Sequence, residues 1–192
     1  MVLQGHAEFQ ADVAINNPLI DWVGESGAFD RAGQGGGMHL LFGGMKRSQL
    51  ELGVDYALYN LDVISSSVEG QFSDRFQQRQ HAFHLPIRWN VAVGQSKLHT
   101  LVSMGASYNI IQTQDGLWER TDMDDSAVLE SLPIAGSLST FWTPEVAIGL
   151  GSQINRSTTL RLQPALRFQL QEDDFTPVNG VMSVAASVVK HL

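Results

Sequence analysis

Leu160-Arg161-Leu162-Gln163-Pro164-Ala165-Leu166-Arg167-Phe168-Gln169-Leu170 changes character at every residue. Leu160, Leu162, Pro164, Leu166, Phe168 and Leu170 share one side of an extended chain, while Arg161, Gln163, Ala165, Arg167 and Gln169 share the other. Side chains of a β-strand alternate between the two faces of its sheet, so one face here is oily and the other carries two guanidinium groups.

The same period runs outward from this segment through most of the chain. In His81–Val93, Phe83, Leu85, Ile87, Trp89, Val91 and Val93 oppose His84, Pro86, Arg88, Asn90 and Ala92. In Leu98–Ile110, Thr100, Val102, Met104, Ala106, Tyr108 and Ile110 oppose His99, Leu101, Ser103, Gly105, Ser107 and Asn109. In Thr140–Ser152, Trp142, Pro144, Val146, Ile148 and Leu150 oppose Phe141, Thr143, Glu145, Ala147, Gly149 and Gly151. Near the start, Ala7, Phe9, Ala11, Val13 and Ile15 oppose His6, Glu8, Gln10 and Asp12; further on, Leu50, Leu52, Val54 and Tyr56 oppose Glu51, Gly53, Asp55 and Ala57. Two weaker segments, Gly36–Gly44 (where Leu41 blurs the division) and Val181–Leu192, complete a set of eight. Most are about 9 to 14 residues long, against a usual strand length of about 5 to 6. A strand of about 9 to 11 residues, tilted, is what a bilayer requires.

Connections alternate as well. Long ones (Asn16–Gln34, Ser65–Gln80, Thr113–Ser139, with a moderate one at Gln171–Asn179) take turns with short ones at Met45–Ser48, Gly94–Lys97 and Gln153–Ser157. In an up-and-down meander this places all tight turns at one end and all extended loops at the other, the outer-membrane pattern. A two-residue turn at Gln95–Ser96 keeps the two polar faces in step and predicts Arg88 across from Ser103.

Composition closes off other classes. The 192-residue chain carries 12 Lys+Arg against 20 Asp+Glu, no Cys and 43% hydrophobic residues. A net charge of −8 argues against a nucleic-acid partner, which needs a basic face. Without Cys there is no disulfide framework, thiolate metal site or Cys nucleophile. No apolar stretch reaches the roughly 18 residues of a spanning helix. The length suits one domain, 1–192. No signal-peptide apolar region opens the sequence, so it is expected to be a mature region behind an added start residue.

The alternation alone fits either a soluble barrel, oily face inward, or a membrane barrel, oily face outward. The oily faces are nearly free of charge, and the polar faces are rich in Gly, Ala, Ser, Asn and Gln with no Lys in any strand interior. That combination predicts the inverted, membrane sense, with polar groups filling a narrow lumen. Five acids (Glu8, Asp12, Glu51, Asp55, Glu145) and three bases (Arg88, Arg161, Arg167) then face inward. Fifteen acids against four Arg fall at the loop end, while Lys46, Arg47, Lys97, Arg156 and Lys190 make the turn end basic.

With these residues in view, the chain resembles the small eight-stranded outer-membrane β-barrels of Gram-negative bacteria, the OmpA/OmpX-like superfamily. His84-Leu85-Pro86-Ile87-Arg88-Trp89-Asn90 with Gly105-Ala106-Ser107-Tyr108 is similar to PorT-like outer-membrane β-barrel domains of Bacteroidota. The final strand ends in Leu192 where such barrels usually carry an aromatic residue. The resemblance implies an all-β, eight-stranded, antiparallel up-and-down transmembrane barrel in the outer membrane of a Gram-negative bacterium, with short periplasmic turns and long extracellular loops.

The expected site is therefore a structural lumen ion network of Glu8, Glu51, Asp55, Arg88, Glu145, Arg161 and Arg167, with no catalytic residue, metal or cofactor. Trp89, Tyr108, Trp142 and Phe168 are expected to form an aromatic girdle, and Trp22 and Trp118 to pack the loops. Expected partners are membrane lipids, lipopolysaccharide and other outer-membrane or envelope proteins, met through acidic loops. Two alternatives stand beside this reading. One is a lipid-modifying outer-membrane hydrolase or acyltransferase using His99, Ser103 and Glu145; the other is a soluble lipocalin-like ligand-binding barrel. Asp122-Met123-Asp124-Asp125 raises a calcium reading, but lacks the glycine and distal glutamate of an EF-hand loop, and a solvated acidic loop is expected there.

Overall fold

The computed structural model describes residues 6–20, 33–45, 48–66, 71–94, 97–122, 124, 126–168 and 178–191. Among these residues ten strands are formed: β1 (His6–Ile20), β2 (Gly33–Met45), β3 (Ser48–Ser66), β4 (Phe72–Val93), β5 (Leu98–Thr113), β6 (Gly116–Asp122), β7 (Val128–Ile134), β8 (Ser137–Asn155), β9 (Thr158–Phe168) and β10 (Val178–His191). All pairings are antiparallel, and the order β3-β2-β1-β10-β9-β8-β5-β4 closes on itself through β3–β4. The result is an eight-stranded barrel. Closure leaves no strand edge within this ring, which is what a β-structure in hydrocarbon needs.

The faces sort as alternation predicts for the membrane sense. Leu162 is 52% exposed and Val13 68%, whereas Glu51 is fully buried. Arg88, Arg161, Arg167, Glu145, Asn90 and Gln163 are buried too. A soluble barrel would show the reverse.

The lumen is layered, which alternation does not reveal. Leu41, Leu101 and Val189 are buried on the inward faces toward the turn end. Leu41, which blurs the pattern of its segment, points inward with His39, while Met38, Leu40 and Phe42 point out. Toward the loop end Ala57, Tyr59 and Ala82 form a buried apolar cluster, with Phe76 and Ile111 packed on it. The central charged residues lie between these two groups, while Glu8, the register partner of Leu41, and Arg161 stand level with the turn-end group.

Two expected loops are strands. Ser65–Gln80 does not leave the wall; β3 and β4 continue as a ribbon paired out to Ser66↔Ser73. Thr113–Ser139 contains β6 and β7, whose pairing Gly116↔Ile134 carries on from Thr113↔Ser137 of β5 and β8. β5–β6 and β7–β8 are thus two long strands, each interrupted once, at Gln114–Asp115 and at 135–136. Beyond the bilayer both faces of a strand meet water or polar groups, so the oily alternation stops while the backbone ladder does not. Between the two interruptions Gly136 N donates to Asp115 Oδ1 (2.8 Å), and at the first Gln114 N donates to Arg79 O (2.9 Å), satisfying groups the ladder drops. Of the expected loops Asn16–Gln34 and Gln171–Asn179, residues 16–20, 33–34 and 178–179 belong to β1, β2 and β10, and 21–32 and 171–177, with Trp22, lie outside the described residues.

Register corrects the turn. Val93 pairs with Thr100, so Arg88 stands across from Gly105, and Ser103 faces Asn90. The parity is as expected, but the connection is two residues longer than a two-residue turn, and Gly94 (φ 111°) takes a left-handed conformation open to glycine.

Candidate functional site

Cross-strand register builds the charged lumen row by row. Glu51, Arg88, Gly105, Glu145 and Arg167 are successive partners across β3, β4, β5, β8 and β9. Acid and base alternate round the wall, with a glycine where a side chain would stand between Arg88 and Glu145. Arg88 Nη1 donates to Glu51 Oε1 (2.6 Å), and its Nη2 reaches Glu145 Oε1 (2.9 Å) and Asp55 Oδ2 (3.3 Å). Arg167 donates from Nε to Glu145 Oε2 (3.2 Å) and from Nη2 to Asp55 Oδ2 (3.0 Å). Asn90 Nδ2 donates to the second Glu51 oxygen (2.6 Å). Charges buried this deeply are tolerable only when paired and hydrogen-bonded.

A second row crosses β1, β2 and β3 as Asp12, Gly37 and Asp55. Two residues along the same face lies His39, between Gln10 and Gly53. Its Nε2 is 2.8 Å from both Asp12 Oδ2 and Asp55 Oδ1, and its Nδ1 is 2.9 Å from Glu51 Oε1. A Cβ at Gly53 would run into the His39 ring, and one at Gly37 into Asp55 Oδ1. The β3–β4 ladder also lapses between Leu52↔Ile87 and Asp55↔His84, where Pro86 supplies no N–H. Room for the imidazole is thus written into Gly37 and Gly53.

Of the seven expected network residues, Glu51, Asp55, Arg88, Glu145 and Arg167 meet in one cluster. Glu8 and Arg161 form a separate group nearer the turn end. Arg161 donates to Gln10 Oε1 (3.2 Å) and Gln49 Oε1 (3.1 Å), Gln49 Nε2 donates to Glu8 Oε2 (2.8 Å), and Arg161 Nη2 is 3.9 Å from Glu8 Oε2. His39 and Asn90 are members that sequence reasoning missed. The signal was available: His39 alternates with Met38 and Leu40, which assigns it inward. Above the cluster, His84 Nδ1 is 2.6 Å from Asn109 Oδ1, and Asn109 Nδ2 donates to Thr143 Oγ1 (2.9 Å).

The proposed hydrolase residues are not assembled. His99 and Ser103 are four residues apart on one strand face, roughly 13 Å along it. Ser103 Oγ accepts from Gln163 Nε2 (2.7 Å), and Glu145 is held by the two arginines. Of the acidic stretch, Asp122 and Asp124 lie between β6 and β7, where Asp122 Oδ1 accepts from Asp124 N (2.8 Å); Met123 and Asp125 lie outside the described residues.

Outside, Trp89 and Trp142 are half exposed. Tyr108 and Trp142 are cross-strand partners with ring centroids 5.2 Å apart. Tyr56 and Phe83, which the sequence reading did not place in the girdle, repeat this contact at 5.2 Å near the same level, and Tyr56 Oη is 2.8 Å from His81 Nδ1. Trp89 sits toward the opposite, turn end. The Phe168 side chain lies outside the described part of the structure. Trp118 lies instead in the hairpin ribbon, where the Arg120 guanidinium stands 5.2 Å from its ring and 4.9 Å from that of Phe72.

A closed eight-stranded antiparallel barrel, oily outside and charged within, is the fold of the small outer-membrane barrels. Solved structures with this fold match the chain nearly end to end. Neisserial surface protein A is similar at TM-score 0.58 and 12% identity, with 97% of each chain covered. Ail, the attachment invasion locus protein of Yersinia pestis, is similar at TM-score 0.50 and 8% identity, covering 98% of this chain and 99% of that one. A major outer membrane protein of Thermus thermophilus gives TM-score 0.50 and 11% identity, covering 97% and 99%. No family model and no curated protein matches the chain, so the PorT-like resemblance rests on the residues quoted for it.

Proposed function

We propose that this chain is an integral outer-membrane barrel of a Gram-negative bacterium with a structural and interaction role, not a solute pore and not an enzyme. The observation that carries this reading is the occluded lumen. The Arg88–Glu145–Arg167 cluster crosses it, and buried apolar residues lie on both sides of that cluster. Eight strands leave an interior that side chains fill. The lumen network of Glu8, Glu51, Asp55, Arg88, Glu145, Arg161 and Arg167 then acts as a plug that fixes strand register. Contacts with lipopolysaccharide and envelope proteins fall to the acidic loop end. Two proteins of similar structure, a neisserial surface protein and an attachment invasion protein, support an outward-facing contact role. The separation of His99 from Ser103, and the arginines on Glu145, weigh against the lipid-modifying hydrolase.

The test is conductance and insertion together. Refolded into planar bilayers, the protein should add no resolved ion steps, while vesicles should protect its transmembrane segment from protease. Leu162→Arg on the lipid-facing band should lower folding stability by about 2–4 kcal/mol near the midplane. Stable solute-sized channels, or a Leu162→Arg barrel as stable as the parent, would overturn the reading.

A further inference from the structure

We propose that the lumen binds one divalent transition-metal ion of the zinc class on His39 Nε2, Asp12 and Asp55. The three donor atoms lie within 4.8 Å of one another. Asp12 and Asp55 face each other across Gly37, their common register partner, with no side chain between them. His39, fully buried, brings Nε2 to 2.8 Å from one oxygen of each.

The arrangement is poor as a set of hydrogen bonds. Neither ring nitrogen of His39 makes an aligned one, and neither does Asp55 Oδ1, although all three atoms are shut away from water. One Nε2–H cannot point at two carboxylates at once. Oxygens close to a nitrogen but off its axis are what ligands round a shared cation look like. With metal–ligand bonds of about 2.0–2.2 Å, neighbouring donors stand about 3 Å apart at the right angles of five- or six-coordination and about 3.4 Å apart in a tetrahedron. On the far side of the ring Glu51 Oε1 lies 2.9 Å from Nδ1, off the N–H axis but on the side where zinc-bound histidines keep a carboxylate.

Charge gives an independent argument. The central cluster holds four carboxylates, Asp12, Glu51, Asp55 and Glu145, against two guanidiniums, Arg88 and Arg167. The other described lumen pair, Arg161 and Glu8, balances itself. An imidazolium at His39 would still leave one carboxylate uncompensated in a low-dielectric interior. A neutral His39 with a dication leaves none. A cavity of about 30 Å³ lined by Asp12, Asp55, Arg88, Glu145 and Arg167 adjoins the donors, room for roughly one water to complete the coordination. One imidazole nitrogen with carboxylate oxygens suits zinc, manganese or ferrous iron better than a soft monovalent ion.

Because buried side chains lie above and below the cluster, Tyr59 and Ala82 toward the loops and Leu41, Leu101 and Arg161 toward the turns, the metal is supplied during folding. The full chain is unfolded in urea with chelator, refolded in detergent with zinc chloride or with EDTA, desalted, and assayed for bound zinc and thermal midpoint. About one zinc per chain should survive desalting, and the zinc-refolded barrel should melt higher. His39→Gln and Asp12→Asn should retain no zinc and show no zinc-dependent shift. Glu8→Gln, in the separate group, should keep both. Under a tenth of an equivalent on the parent chain with identical melting curves would overturn the proposal, leaving His39 as an imidazolium. Equal zinc retention by His39→Gln would overturn it too. If the variants fail to fold, the parent's two arms alone decide.

Discussion

Arg88 and Glu145 stand on strands separated by β5, and their side chains meet at 2.9 Å because the residue between them is Gly105. A Cβ built there would run into the Ile87 carbonyl and press on Arg88 Cα at 2.8 Å. Those neighbours are backbone and cannot swing aside. Gly105→Val should therefore spread β4 from β5 and part the ion pair, destabilising the barrel by about 1–3 kcal/mol, in the range of overpacked cores. Urea titration in lipid vesicles, followed by the heat-dependent gel shift of folded barrels, reads this directly. An unchanged midpoint would mean that the row tolerates a side chain there.

Arg167 and Glu145 give the complementary experiment. Arg167→Met leaves Glu145 and Asp55 short of a partner inside the wall, and the expected loss is about 3–5 kcal/mol. Arg167→Met combined with Glu145→Gln removes one charge of each sign, so the double variant should be more stable than the sum of the single effects predicts. Strict additivity in the double-mutant cycle would show that the 3.2 Å contact contributes no coupling.

How much of this was legible beforehand depends on which property carries it. Faces were legible: Leu162 outward and Arg161 inward follow from the period of the strand, because lipid tolerates no charge on the oily side. Rows were not. Register depends on turn length, and a turn at Gln95–Ser96 shifts β5 by two residues, setting Arg88 against Ser103 and hiding its line with Gly105 and Glu145. His39 was reachable from its alternation with Met38 and Leu40, but its significance emerged only once Gly37 was seen to lie between Asp12 and Asp55. The ribbons beyond Asn60 and Thr113 were unreadable from hydropathy, since a strand wetted by polar surroundings on both faces has no oily side to betray it.

Asp62 and Arg75 make a testable pair in that ribbon. Arg75 donates to Asp62 through Nε (2.9 Å) and Nη2 (2.6 Å), and Gln77 Nε2 adds a third bond (3.1 Å). The Arg75 hydrogen bonds hold the Asp62 carboxyl below its usual range. A carboxyl depressed in the folded state stabilises it above the unfolded value of about 4 and loses that contribution as pH falls through the folded value. Both side chains are over a third exposed, so the effect is local and about 1 kcal/mol or less. Amide exchange at Asp62 and Arg75, measured from pH 7 down to pH 3, should lose excess protection at the acid end. The same decline in Asp62→Asn would assign it elsewhere.

The aromatic residues test which part of the wall meets lipid. Trp142, packed against Tyr108 at a tilt, and Trp89 toward the other end both project from the oily face, whereas Trp118 belongs to the β6–β7 hairpin. Indoles prefer the headgroup level, where the ring is apolar and its N–H is wet. Variants retaining a single Trp, with the others changed to Phe, can be reconstituted with lipids brominated at different depths. Trp89 and Trp142 should each be quenched most by bromines nearest the headgroups, and from opposite leaflets when only one leaflet is labelled. Trp118 should respond to aqueous quenchers and not to bromolipid. Deep quenching of Trp118 would place the hairpin inside the bilayer, and with it the ribbon pairs Asp74–Arg120 and Asp62–Arg75, which hydrocarbon would not accommodate.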